Sequence, residues 1–118
     1  MEKSILIVED EFLVALDLKE MLEADGWRVI GPAASVKSAI ELLEGETPTV
    51  ALLDVQLGKE MSTRVAETLQ HLEIPFVFTS AYSSPHLAGH GALAKSPRME
   101  KPIDEKRLLA LLARLAGA

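Results

Sequence analysis

Cysteine is missing from this sequence of 118 residues. Its absence excludes disulfides, thiol nucleophiles and cysteine-based metal sites. Long apolar runs are missing too: none reaches the roughly 20 residues that cross a bilayer. No signal peptide is expected, because acids and Lys3 run directly into the strand-like segment Ser4-Ile5-Leu6-Ile7-Val8. A cytoplasmic protein with no membrane partner is expected. Positive charge is scarce: 12 Lys and Arg face 18 Asp and Glu, for a net charge of −6. Phosphate neutralisation needs clustered Lys and Arg, so no nucleic-acid partner is expected. The acidic surplus suits a divalent cation or a basic partner surface. Repeats, linkers and low-complexity segments are also lacking, and the length fits one domain, expected to span residues 1–118. What the chain does have is apolar residues, 48% of the total, enough for a real core.

The most informative stretch is Val50-Ala51-Leu52-Leu53-Asp54-Val55-Gln56-Leu57-Gly58. An apolar run of this length reads as a strand buried on both faces, as in a parallel sheet. Asp54 falls where that strand meets its C-terminal loop, the edge at which open α/β sheets bind ligands. There it is a metal ligand, a nucleophile or a helix cap.

The remaining segments alternate in type. Ser4–Val8 reads as a central strand opening into Glu9-Asp10-Glu11. A helix is predicted from Glu11 to Asp25, with Val14, Leu18, Met21 and Leu22 facing the core and Gly26 ending it. Phe12, Leu13 and Leu16 fall off that stripe, either packing at its margins or forming a docking patch beside the acidic loop. Trp27–Pro32 is a weaker second strand. Ser35 is the predicted N-cap of a helix with Val36, Ala39, Ile40 and Leu43 inward, broken by Gly45 and Pro48. A further helix is predicted from Met61 to Leu72, with Val65, Leu69 and Leu72 on one face. Pro75–Tyr82 is a fourth strand, and Arg98–Glu100 a very short fifth that ends at Lys101-Pro102. Between them, Ser83–Ser96 lacks periodicity and contains Gly89 and Gly91, so any helix there should be short and mobile. Ile103–Ala116 is a strong helix with Leu108, Leu112 and Leu115 inward. The alternation predicts a three-layer α/β sandwich around a five-stranded parallel sheet, doubly wound in the order 2-1-3-4-5.

In that order the ends of strands 1, 3, 4 and 5 converge. They deliver Glu9 and Asp10, then Asp54, then Thr79 and Ser80, then Lys101. Three carboxylates at close range repel one another. A divalent cation relieves this, and the oxygen-only ligand set favours Mg²⁺. Asp54 could then attack phosphorus, with Lys101 and Ser80 serving the phosphoryl oxygens. Each residue also has a plainer role: Glu9 and Asp10 as helix caps, Ser80 as a turn residue, Lys101 as a solvated surface lysine.

The constellation resembles the receiver domain of two-component response regulators, over essentially the whole chain. The resemblance rests on Ile5-Leu6-Ile7-Val8-Glu9-Asp10-Glu11, Leu52-Leu53-Asp54-Val55, Ser80-Ala81-Tyr82 and Lys101-Pro102. It implies a flavodoxin-like fold and phosphoryl transfer from a histidine kinase or phosphotransfer protein to Asp54. It also implies Mg²⁺ held by Glu9, Asp10, Asp54 and the backbone carbonyl of Gln56, with Ser80 as the switch hydroxyl and Lys101 as the phosphate-pairing lysine. Pro75–Tyr82 looks like the motif of a subgroup that often stands alone, with Tyr82 either limiting water at the phosphate or packing as an ordinary loop residue. Arg98 occupies the place where most receivers carry the aromatic rotamer switch.

The expected readout surface is Ser83–Ser96 with the fifth strand and the last helix, a face that also allows a homodimer or a downstream protein target. The kinase is expected at Phe12, Leu13 and Leu16 with the loop after Lys101. No output domain follows Ala118, which fits either a single-domain regulator or a fragment. Two other readings stand beside this one. A pseudo-receiver would bind partners without taking phosphate. A Mg²⁺-dependent aspartyl phosphatase would need a second acid two residues after the nucleophile, where Gln56 stands. His86 and His90 are four apart, but Gly89 and Gly91 argue against a helical metal site there.

Overall fold

The computed structural model describes residues 3–80 and 96–117. Within them the chain forms β1 (Ser4–Val8), α1 (Phe12–Ala24), β2 (Arg28–Ala33), α2 (Val36–Gly45), β3 (Val50–Asp54), β4 (Gln56–Leu57), β5 (Glu60–Met61), α3 (Thr63–His71), β6 (Phe76–Ser80), β7 (Arg98–Glu100) and α4 (Glu105–Leu115). The main sheet has five parallel strands in the order β2-β1-β3-β6-β7. That is the predicted doubly wound order, with β6 and β7 as its fourth and fifth strands.

Strands β1, β3 and β6 are buried along their whole length. Their alternating side chains feed two separate cores, because successive residues point to opposite faces. Leu6, Val8, Ala51, Leu53 and Phe78 pack under α2 and α3 with Val36, Ala39, Leu43, Val65 and Leu69. Ile5, Ile7, Val50, Leu52 and Val77 pack on the other face with Leu18, Leu22, Leu108, Leu112 and the buried Trp27.

Ser35 caps α2 as predicted, its Oγ accepting the Ser38 N–H at 3.1 Å. Asp104 does the same for α4, accepting the Arg107 N–H at 3.1 Å.

Several expectations are corrected. Leu18 and Leu22 are buried and Val14 and Met21, half-buried, pack against the same core as predicted, but the buried face of α1 also takes in Ala15. At 3.6 residues per turn, Leu13 falls on the opposite side of the helix from that face, with Phe12 and Leu16 between. They are therefore not packed at the margin of the core: Phe12 is 76% and Leu13 72% exposed. The third helix begins at Thr63 rather than Met61, because Met61 pairs with Gln56 in the small antiparallel hairpin β4–β5. It buries Val65, Ala66 and Leu69, while Leu72 is the exposed residue just past its end. Leu115, half-buried at the end of α4, packs inward against the core with Leu108 and Leu112, as predicted. The expectations for Tyr82, for His86 and His90, and for nearly all of Ser83–Ser96 lie outside the described residues. Among the described residues no helix is long and apolar enough to cross a membrane.

Candidate functional site

Parallel strands end together, and register decides which residues meet. Val8 pairs with Leu53, Asp54 with Thr79, and Ser80 with Glu100. Glu9 and Asp10 follow β1, Asp54 closes β3, Ser80 closes β6 and Lys101 follows β7. All five therefore reach one edge of the sheet. Backbone bonds hold the turns: the Glu9 N–H donates to the Ala33 carbonyl at 2.9 Å, the Val55 N–H to the Thr79 carbonyl at 3.0 Å, and the Lys101 N–H to the Ser80 carbonyl at 2.9 Å.

Lys101 is the hub of the cluster. Its Nζ donates to Asp54 Oδ2 at 2.7 Å and to Glu9 Oε1 at 3.1 Å. Asp54 Oδ1 accepts the Gln56 N–H at 3.1 Å, and Glu9 Oε2 accepts the Glu11 N–H at 3.2 Å. Glu9 and Asp54 are buried and Asp10 is exposed. One carboxylate oxygen from each of the three lies within 4.8 Å of the others. Gly58, at φ +61°, turns the β4–β5 hairpin alongside Asp10, whose Oδ2 would lie 3.8 Å from a Cβ at that position.

The electrostatics follow from this packing. Burial, and then the charge of Asp54, push the Glu9 carboxyl up from its ordinary 4.5 to about 7, against the opposing bonds from Glu11 and Lys101. Burial alone would pull the Lys101 ammonium down. Its hydrogen bonds to Asp54 and Glu9 outweigh that and raise it above the ordinary 10.5. One ammonium among three carboxylates leaves a net negative site built only of oxygen donors, and this suits a hard divalent cation. Replacing Lys101 by Met keeps the stem and leaves Glu9 and Asp54 without the ammonium. Unfolding in denaturant without divalent cations should show a loss of roughly 2 kcal/mol, below the value for a fully buried pair because Lys101 is partly exposed.

Every residue predicted for the site is thus at this edge. Ser80 is buried at the end of β6, and Gln56 sits beside Asp54 through its backbone N–H, with its side-chain amide donating to the Gly58 carbonyl at 3.0 Å. Arg98 is exposed on β7 in register with Phe78. Sequence reasoning missed Ser62 and the hairpin it closes, since two-residue strands have no readable periodicity. The Ser62 Oγ donates to the Val55 carbonyl at 3.2 Å, immediately after Asp54.

Residues 5–113 match the family model described as the response regulator receiver domain. The chain belongs to that family. As a receiver domain of two-component signalling, it is similar to the phyllosphere-induced regulator PhyR of Methylorubrum extorquens, at 37% identity over 92 residues, covering 75% of this chain and 34% of that one. It is also similar to the crystal structure of a response regulator receiver protein from Sinorhizobium medicae, with a TM-score of 0.87, 25% identity, and coverage of 99% of this receiver and 96% of that chain. The receiver domain of a Pseudomonas aeruginosa sensor histidine kinase shares the fold, with a TM-score of 0.83, 22% identity and full coverage of both chains. In that crystal structure a magnesium ion is coordinated in the active site cleft. This receiver spans between about a third and a half of the length of curated relatives such as PhyR (34%) and the LytT protein of Bacillus cereus (45%).

Proposed function

We propose that residues 1–118 form one phosphoacceptor unit in which Asp54 takes a phosphoryl group from a histidine kinase or a phosphotransfer protein. The observation that carries this reading is the pairing of Asp54 and Glu9 with Lys101, 2.7 and 3.1 Å from its Nζ, beside the exposed Asp10. A phosphoryl group entering here meets a carboxylate nucleophile, an ammonium and the Ser80 hydroxyl, and such positioning plus charge is nearly all that phosphoryl transfer requires. A carboxylate oxygen of Asp54 attacks phosphorus and the phosphorus–nitrogen bond to the donor histidine breaks. The nitrogen leaves with its electron pair, and an acyl phosphate forms.

Glu9, Asp10 and Asp54, with the carbonyl of Gln56, would hold Mg²⁺. When bound, the ion keeps the carboxylates ionised and neutralises phosphoryl charge. Lys101 exchanges part of its bonding from Asp54 to the phosphoryl oxygens. Ser80 donates to another of them and shifts at the end of β6 toward the site, and this movement is the signal.

Intact mass after incubation with acetyl phosphate and Mg²⁺ tests the reading. A gain of one phosphoryl group, lost with excess chelator, is expected. No gain in a folded chain, from acetyl phosphate or from kinases that load related receivers, favours the pseudo-receiver reading.

The kinase-docking surface belongs to the same proposal. The exposed Phe12, Leu13 and Leu16 lie on α1. On another side of α1 a groove of about 900 Å³ runs between that helix and the start of α4, lined by Val14, Leu18, Met21, Lys101, Pro102 and Ile103. Changing Leu13 and Leu16 together to Asp should slow transfer from a phosphorylated kinase by about tenfold or more, the size of losing an apolar anchor. Loading from acetyl phosphate should stay at the wild-type rate, because neither leucine touches the acid cluster. Equal kinase transfer in the two proteins would remove α1 from the docking surface.

A further inference from the structure

Ser62 stands one residue before α3, where a serine ordinarily caps the helix through its side chain. It makes no such bond, at φ −83° and ψ 15°. Its side chain instead turns inward and is wholly buried. The Oγ donates to the Val55 carbonyl at 3.2 Å, and the Ser62 N–H donates to the same oxygen at 2.9 Å. Two donors therefore occupy both acceptor positions of one carbonyl.

The other end of that peptide group is the Gln56 N–H, which donates to Asp54 Oδ1 at 3.1 Å. The Val55 carbonyl and the Gln56 N–H belong to one planar unit, so fixing the oxygen fixes the direction of the N–H. On the reading that Asp54 is the phosphoacceptor, we infer that Ser62 is a positioning residue for Asp54, acting through the Val55–Gln56 peptide. Removing the Ser62 hydroxyl leaves one donor on the carbonyl and lets the plane rock. The Gln56 N–H then swings off Asp54 Oδ1. A carboxylate rotates broadly about its last torsion unless a bond holds it. Lys101 still grips Oδ2, so the group is loosened rather than freed. The Gln56 carbonyl, expected to face the cation, belongs to the next peptide plane and is joined to this one at the Gln56 Cα, so rocking of the first plane displaces the atom to which the second is attached.

A purely structural serine would anchor α3 to β3 and do nothing more. The two roles separate experimentally in the full chain, with Ser62→Ala, Ser62→Thr and, as a control, Ala66→Gly, which weakens α3 and keeps the Ser62 hydroxyl in place. Three quantities are read: exchange of the Gln56 amide proton relative to the β1 and β3 amides, Mg²⁺ affinity by titration of amide shifts, and the rate of phosphoryl gain from acetyl phosphate.

For Ser62→Ala the expected result is Gln56 exchange about tenfold faster than in the wild type, and Mg²⁺ affinity and phosphoryl gain each lowered about tenfold, the low end for loss of an outer-shell partner. Ser62→Thr restores all three, and Ala66→Gly lowers the unfolding midpoint but moves none of them. Wild-type Gln56 exchange and Mg²⁺ affinity in Ser62→Ala overturn the inference, as do equal changes in Ala66→Gly. If Ser62→Thr cannot fit its methyl group and unfolds, the comparison of Ser62→Ala with Ala66→Gly decides alone. A wild-type chain that takes no phosphoryl group overturns the phosphoacceptor reading instead, and the exchange and Mg²⁺ measurements still decide the part played by Ser62.

Discussion

Asp54→Asn should accept no phosphoryl group from acetyl phosphate or from a kinase, while remaining folded. The substitution preserves shape and replaces the nucleophilic carboxylate by an amide that cannot form the acyl phosphate. The rest of the cluster survives it. The amide oxygen can still accept the Gln56 N–H, which puts the amide NH2 where Oδ2 accepted from Lys101, so Lys101 turns from position 54 and keeps its bond to Glu9. Glu9 itself responds. Part of its upward shift comes from the charge of Asp54, so its pKa falls in the variant, but not to the ordinary value, because burial is the larger cause and remains. Mass spectrometry reads the first effect and carboxyl NMR the second. A phosphoryl group retained by Asp54→Asn would place the acceptor on another residue.

Glu9→Gln should flatten the acid side of the stability profile measured without divalent cations. The folded chain holds the Glu9 proton up to about pH 7, whereas the unfolded chain releases it near 4.5. Between those values the folded state binds more protons, so stability falls as pH rises. The contribution is complete below about pH 4.5 and gone above about pH 7. Over that window, from 4.5 to about 7, the loss amounts to roughly 3 kcal/mol, at about 1.36 kcal/mol for each pH unit. Glu9→Gln cannot ionise and should lack that slope, so the difference between the two profiles isolates this one group from the other carboxylates. Mg²⁺ should act oppositely: it binds the ionised cluster and stabilises by mass action, more at about pH 8 than at about pH 5. Parallel profiles for wild type and variant would show that Glu9 titrates normally.

Most of the framework could be read from apolar runs. Ser4–Val8 and Val50–Asp54 are buried along their whole length, and burial on both faces is what gives a parallel strand its unbroken apolar sequence. The acids and the lysine of the site follow from where those runs stop. Other features depend on geometry that a pattern does not encode. Ala15 carries little hydrophobic signal yet forms part of the buried face of α1, while Val14 and Met21 carry more and sit at its edges. Leu72 continues the helical spacing of Val65 and Leu69, but α3 has already ended at His71. Met61 reads as part of that helix because a two-residue strand leaves no alternation to detect. Ser62 carries no signal in the sequence, and only its dihedral angles and its bond to Val55 reveal the inward turn.

The ion pair between Glu9 and Lys101 joins residues 92 apart in sequence, and that between Asp54 and Lys101 residues 47 apart. A growing chain therefore emerges from the ribosome with both acids made long before the lysine that faces them. Until β7 joins β6, collapse of β1 onto β3 draws Glu9 and Asp54 together with no ammonium between them, and their mutual repulsion opposes that step. Completion of the acid cluster thus waits for the synthesis of Lys101, 47 residues after Asp54, and a cation in the surrounding medium can fill the place of Lys101 until it arrives.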